Sequence, residues 1–185
     1  MKNVLMAVSG PSGVGKGTIV KRIIAEREDV VESVSCTTRA PREGEIDGYS
    51  YFFLSEKEFA RRIEEDEFLE YDEHFGALYG TPKSFVAETL KSKSVIMEID
   101  VVGALNAQKL FPETVLIMVL PPSLEELKAR LKARNTETEE EMEKRLARID
   151  YEVSQKDKYD YVIINDNLEE AIQIVKDIID KEKNI

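Results

Sequence analysis

The apolar positions of this chain fall into two patterns. Short unbroken runs recur: VLMAV (Val4 to Val8), VIMEI (Val95 to Ile99), VLIMVL (Val115 to Leu120) and YVIIN (Tyr161 to Asn165). Each is four to six residues long and most stop at polar or turn-forming residues, which predicts strands buried on both faces, as in a parallel sheet. Between and after them the apolar residues recur at helical spacing. Ile19, Ile23 and Ile24 share one face after the first run. SEKEFARRIEED opens with Ser55 and Glu58 as a capping box and sets Phe59 and Ile63 on one side. TPKSFVAETL predicts a helix with Thr81 as N-cap and Pro82 at the first helical position. Alternating short strands and amphipathic helices indicate an α/β fold around a mainly parallel sheet.

Two segments interrupt the alternation. Residues 34 to 81, rich in Tyr, Phe, Arg and Glu, read as an insertion with strand of its own, including YSYFF (Tyr49 to Phe53). Residues 123 to 154 read as a charged helical pair. Its first helix opens with Ser123 and Glu126 and buries Leu124, Leu127 and Leu131. The second opens with Thr138 and Glu141 and buries Met142, Leu146, Ile149 and Val153, with the polar turn RNTET between. Such a pair is either a lid or a plain surface hairpin.

Composition narrows the class. The 185 residues suit one domain, and 42% hydrophobic with 34% charged is a globular balance. No apolar run approaches the roughly 20 residues of a membrane span. The first run leads straight into glycines with no cleavage-site pattern, so it reads as a strand and not as a signal peptide. The formal charge of −11 argues against nucleic acid or an anionic membrane as a general partner. One cysteine, Cys36, permits no internal disulfide and fits a reducing cytoplasm.

Against that acidic background the candidate chemistry stands out. Gly10 to Lys16 (GPSGVGK) has phosphate-loop spacing between a strand and a helix. The loop Gly10, Pro11, Ser12, Gly13, Val14, Gly15, Lys16 would turn backbone amides and a lysine toward nucleotide phosphates. Gly17 stands where a metal-binding hydroxyl is usual, and Thr18 is one place late. Magnesium keeps several waters and binds largely through substrate phosphates, so nucleotide binding survives this change. Asp100 ends its strand like the acid of a second nucleotide motif. It could hold metal directly or through water, contact a second substrate, or cap the helix that follows. Arg39 and Arg42, near Ser35, Thr37, Thr38 and Tyr51, suggest capture of a phosphate, against the alternative of solvated surface arginines.

Taken in order, SGPSGVGKGT, SVSCTTRAPREGEIDGYSYFF, EFLEYDEHFGALYGTP, VIMEIDVVGA, PPSLEELKARLKARNTETEEEMEKRL and YDYVIINDNLEEA resemble the guanylate kinases from end to end. The resemblance implies a three-layer P-loop NTPase fold in one domain. Its core would be about 1–33, 83–122 and 155–185, with a mixed α/β GMP-binding region at 34–82 and a helical lid at 123–154. It implies transfer of the γ-phosphate of ATP to GMP with Mg2+, in purine metabolism and GMP recycling, by a cytoplasmic monomer or homodimer.

The resemblance further implies that Ser35, Arg39, Arg42, Tyr51 and Tyr79 hold the GMP phosphate. Glu70 and Thr81 would read guanine, with Asp100 beside them. A carboxylate accepts both adjacent N–H donors of guanine, and adenine has no such pair. Arg134 and Arg145 would approach the transferred phosphoryl group, with Arg130 and Arg148 as weaker candidates, and Asn165 of the NDN segment would contact adenine. Plainer roles stay open: an exposed acid for Glu70, buried rings for the tyrosines, a cap for Thr81, a Glu141–Arg145 pair, and a helix cap within NDN. The chain departs from the pattern at Gly17, at Val102 where Gln is common, and in RNT for RGT. His74 and Cys36 carry no assigned chemistry, read as an exposed histidine and a free thiol. A kinase for another small phosphate ester, or a scaffold-type peptide-binding domain, would share much of this pattern. Glu70, Thr81 and the intact Lys16 argue against both.

Overall fold

The computed structural model describes residues 2–74, 76–123, 125–127, 129 and 139–185, with backbone alone at 74, 139, 141, 142, 145 and 146. Five parallel strands form the central sheet: β1 (Leu5–Ser9), β2 (Val30–Glu32), β7 (Ser94–Glu98), β8 (Val115–Leu120) and β9 (Tyr161–Ile164), in the order β2-β7-β1-β8-β9. All five residues of β1 and all six of β8 are buried, as their unbroken apolar runs require. Side chains alternate between faces. Met6 and Val8 join Ile19 and Ile23 of α1 (Lys16–Glu26) and Val175 and Ile179 of α6 (Leu168–Lys183). Leu5 and Ala7 face the other way, onto Val86 of α3 (Lys83–Thr89) and Ala104 and Ala107 of α4 (Val101–Leu110). Helices therefore cover both faces, the expected three layers.

A second sheet stands beside the first, in the order β4-β3-β6-β5. It comprises β3 (Cys36–Thr37), β4 (Phe52–Phe53), β5 (Phe68–His74) and β6 (Ala77–Pro82), antiparallel apart from the β3–β4 pair. Its own core is Cys36, Phe59 and Phe68, the two rings stacked at 4.4 Å. Phe59 comes from α2 (Glu56–Glu64), where Ser55 accepts from the Glu58 amide at 3.1 Å. The Glu58 carboxylate pairs with Arg61 and Arg62, so Ser55 supplies the described half of the capping box. Burial pushes the Cys36 thiol up to about 11, with Arg62 3.7 Å from its sulfur.

Two local expectations change and a third is met. Thr81 is no N-cap: β6 continues through Pro82, so the cap position falls to Pro82, and the Thr81 hydroxyl turns to a side chain across the sheet. YSYFF is strand only at Phe52 and Phe53, because turns at Ile46 to Ser50 take up the rest and leave Tyr49 exposed. Within NDN the cap of α6 is Asn167, which accepts from the Glu169 and Glu170 amides.

Of the charged segment, Ser123 accepts from the Glu126 amide and Leu127 is buried, while Leu124, Leu131 and Thr138 lie outside the described residues. Helix α5 (Glu139–Ser154) docks through Ile149, buried in the same core as Leu127, and through half-buried Val153. The side chains of Met142 and Leu146, and the Glu141–Arg145 pair, fall outside the description, as does that of His74.

Candidate active site

The phosphate loop joins β1 to α1 at the C-terminal edge of the sheet. Gly10 has φ +137°, and a Cβ there would stand well inside contact distance of the Val119 carbonyl oxygen on β8. Only glycine fits both constraints. Lys16 folds back over the loop and donates from Nζ to the carbonyls of Gly10 at 2.7 Å and Pro11 at 3.2 Å. Val14 is fully buried and anchors the loop from below. Asn165, just past β9 and 4% exposed, donates from Nδ2 to the Val14 carbonyl at 2.7 Å. It braces the loop's position, a role the sequence did not indicate.

Gly17 has a spatial reason. A Cβ on it would lie 3.1 and 3.3 Å from the two carboxylate oxygens of Glu98, the last residue of β7. A carboxylate thus occupies the space into which a hydroxyl-bearing side chain would project. Thr18 is exposed on the first turn of α1.

Gly10, Ser12 and Lys16 form one end of a cavity of about 580 Å³. Ser35, Tyr51, Glu70, Tyr79 and Asp100 line the rest of it, so eight of the residues singled out from sequence share one chamber. Tyr51 and Tyr79 meet edge to face at 6.0 Å, and the Arg39 guanidinium lies over the Tyr51 ring, 5.4 Å from its centroid. Burial raises the Tyr51 phenol above its ordinary range. Arg39 Nη2 donates to both carboxylate oxygens of Glu45, at 2.8 and 3.0 Å, while Nη1 donates to the Ala40 carbonyl, and the Glu45 contact raises Arg39 above its usual value. Arg42 is exposed, and its backbone amide donates to the same Glu45 at 2.7 Å.

Glu70 is 8% exposed and accepts from the Thr81 hydroxyl at 2.7 Å. Burial pushes its carboxyl up to about 7, the Thr81 bond opposes that, and the nearby charges of Asp100 and Asp72 add to it. A nearly buried carboxylate with one described side-chain donor is suited to a ligand that brings more donors. Asp100 caps α4, accepting from the Gly103 amide at 2.6 Å, and its other oxygen accepts from Arg148 Nη2 at 2.7 Å.

Comparison with known proteins places this geometry. The guanylate kinase family model matches residues 2–182. The chain belongs to the guanylate kinase family. It is 49% identical to the guanylate kinase of Caldanaerobacter subterraneus subsp. tengcongensis, over 98% of this chain and 89% of that protein. It is 47% identical to that of Clostridioides difficile, over 99% of this chain and 90% of the relative. The crystal structure of guanylate kinase from Anaplasma phagocytophilum superposes with a TM-score of 0.79 at 33% identity, covering 98% of this chain and 87% of that one. The three-layer P-loop fold of the guanylate kinase family is thus that of this chain.

Set against the guanylate kinase pattern, the remaining site residues divide. Arg130 and Arg134 lie outside the described residues, and Arg145 is placed on α5 by its backbone alone. Arg148, weighed least from sequence, bonds to Asp100 and also stands 3.6 Å from Asp72 and from Glu152. Sequence reasoning missed Glu98, Asp72, Lys144 and Glu152, all of which border the cavity. Glu98 had a usable signal, since the last residue of a strand beside β1 faces the ligand edge of an α/β sheet. Among the described residues no group of three acidic, His or Cys side chains is arranged to hold a metal ion unaided. Any metal would rest mainly on substrate oxygens, with Glu98 and Asp100 as the neighbouring carboxylates.

Proposed function

We propose that this chain transfers the γ-phosphoryl group of ATP to GMP, yielding ADP and GDP. The observation that carries this reading is the single cavity holding Lys16 of the phosphate loop and the Glu70–Thr81 pair together. The loop amides and Lys16 cradle the β- and γ-phosphates, and Asn165 keeps the loop in register beneath the adenine side. Glu70 accepts N1–H and N2–H of guanine while the Thr81 hydroxyl fixes the carboxylate's orientation. Ser35, Tyr51, Tyr79, Arg39 and Arg42 take the GMP phosphate. Arg39 then exchanges Glu45 for phosphate oxygens, which its guanidinium can take in bidentate fashion.

Phosphoryl transfer asks the protein for alignment and charge more than covalent chemistry. A GMP phosphate oxygen displaces ADP in line, and the electron pair of the broken bond stays on the ADP oxygen. Lys16, Arg39, Arg134 and Arg145 stabilise the charge spreading over the moving group. Glu98, beside Gly17, and Asp100 would hold Mg2+ carried in with ATP, Asp100 through water, with exposed Thr18 the weakest candidate. When bound, Mg2+ would offset the charge of the phosphates.

The wider setting is purine nucleotide metabolism and GMP recycling in the cytoplasm, by a monomer or homodimer working on small molecules. No helix among the described residues is long and apolar enough to cross a membrane. The buried single cysteine accords with a reducing compartment. A coupled assay of ADP formation with GMP, dGMP, AMP and UMP as acceptors tests the reading. Guanine acceptors should be used and AMP and UMP refused, and equal use of AMP would overturn it.

A further inference from the structure

Three carboxylates, those of Asp72, Asp100 and Glu152, face the guanidinium of Arg148, and Glu70 stands beside Asp100. A Cβ on Gly103 would lie 2.9 Å from Glu70 Oε2 and 3.1 Å from Asp100 Oδ1, so both acids flank the first turn of α4. Arg148 reaches this group from α5, 48 residues further along the chain, donating to Asp100 Oδ2 at 2.7 Å. Its other neighbours are Asp72 on β5 and Glu152 one turn on along α5 itself. One side chain thus spans α5, the central core and the second sheet.

The link is stiff. The other oxygen of Asp100 caps α4, so Asp100 cannot swing toward Arg148 without leaving the Gly103 amide. Glu152 is almost wholly buried and faces the Nε edge of the guanidinium, while Ile149 beside it docks α5 in the core. A planar guanidinium held on two edges transmits position better than a freely rotating ammonium. Asp100 and Glu152 are 16% and 8% exposed, more buried than the partners of an ordinary surface ion pair, while Asp72 at 34% and Arg148 itself at 39% are partly solvated.

We propose that Arg148 is a positioning residue that makes the two nucleotide sites sense each other, tying α5 to the wall that holds the acceptor base. This rests on the reading of Glu70 as the base-binding residue. A purine drawn onto Glu70 settles the turn of α4 that Asp100 caps, and Asp100 settles Arg148. Through Arg148 it orders α5, whose Lys144, Arg148 and Glu152 border the cavity that also holds Lys16 of the phosphate loop. Arg148 acts on catalysis through that helix, without touching the transferred group.

The test is the affinity of the full chain for a non-hydrolysable ATP analogue, titrated with and without GMP. In the unmodified enzyme GMP should tighten the analogue. Arg148→Ala should shrink that tightening by about five- to tenfold, leaving the affinity for each nucleotide alone nearly unchanged. Arg148→Lys should restore part of it. Asp72→Asn should have a smaller effect and add nothing in the Arg148→Ala background, since both remove one link. Undiminished tightening in Arg148→Ala, or none in the unmodified enzyme, overturns the proposal. A fall in kcat with tightening intact also overturns it and makes Arg148 a phosphoryl-contacting residue. Arg148→Gln keeps the volume should the alanine variant fold poorly. Glu70→Gln is the separate control: unchanged GMP affinity there defeats the base-binding reading and leaves the Arg148 measurement standing.

Discussion

The Thr81 hydroxyl donates to Glu70 Oε1 across 2.7 Å, one strand to the next, inside a wall where both residues are buried. That bond holds the carboxylate in plane and partly offsets the cost of its burial. It leaves Glu70 poised near neutral pH in the empty enzyme, which gives the acceptor site a pH dependence of definite sign.

Below about pH 7 Glu70 holds a proton that guanine must displace, so the KM for GMP should rise as pH falls. The slope approaches about tenfold per pH unit well below the midpoint. Thr81→Val removes the bond that opposes burial and should move the midpoint upward. Glu70→Gln should abolish the dependence and raise the KM about 10- to 100-fold. The folded-state value lies above the unfolded one, so the empty enzyme should lose stability as pH rises from the carboxylate range toward 7. Steady-state kinetics and thermal unfolding across pH check both signs. A pH-independent KM for GMP would sink the assignment.

Arg39 is engaged by Glu45, so an incoming phosphate competes with a carboxylate already in place. Glu45→Gln weakens the competitor and should lower the KM for GMP a few-fold, an estimate in line with a partly exposed ion pair. Arg39→Ala should raise it by about 100-fold, leaving the binding of guanosine, which has no phosphate, unaltered. Equal losses for GMP and guanosine would show that Arg39 serves the fold instead.

Lys16→Met should reduce kcat by about a hundred- to a thousandfold or more through loss of charge at the transferred phosphoryl group. The same change frees the carbonyls of Gly10 and Pro11 that Nζ now binds, so a small loss of thermal stability should accompany it. Single-turnover rates and a melting curve separate the two effects. Turnover at the unmodified rate would remove the phosphate-loop argument.

Gly10→Ala combines a disallowed backbone angle with a collision against the β8 backbone and should cost about 2–4 kcal/mol. For a domain of this size that lowers Tm on the order of 10 °C. Gly17→Ala meets only the movable Glu98 carboxylate and should fold nearly normally. Equal melting temperatures for the two variants would contradict this division.

Much of this arrangement was legible in sequence where the determinants were local. Unbroken apolar runs gave four of the five central strands, because a strand between two helical layers needs no polar face, whereas the three-residue β2 has no such run. The glycine spacing gave the donor loop because the backbone itself binds phosphate. Thr81 misled because Thr-Pro is a good local start for a helix, whereas pairing with β5 carries β6 one residue past it. Glu98 was passed over because its meaning comes from standing against Gly17, 81 positions away, a relation set by strand order. Arg148 was only a weaker candidate for the transferred phosphoryl group until its partners on other elements were in view.

Cys36 has a practical consequence. A single thiol that is buried and pushed up to about 11 is almost wholly protonated at neutral pH and shielded from reagents. Alkylating probes should pass it by, so the native chain behaves as a cysteine-free background. Two cysteines introduced at exposed positions, one on α5 and one on α2, would take up all the label. Paired spin or fluorescent probes there would then measure directly how far apart those helices stand as each nucleotide binds.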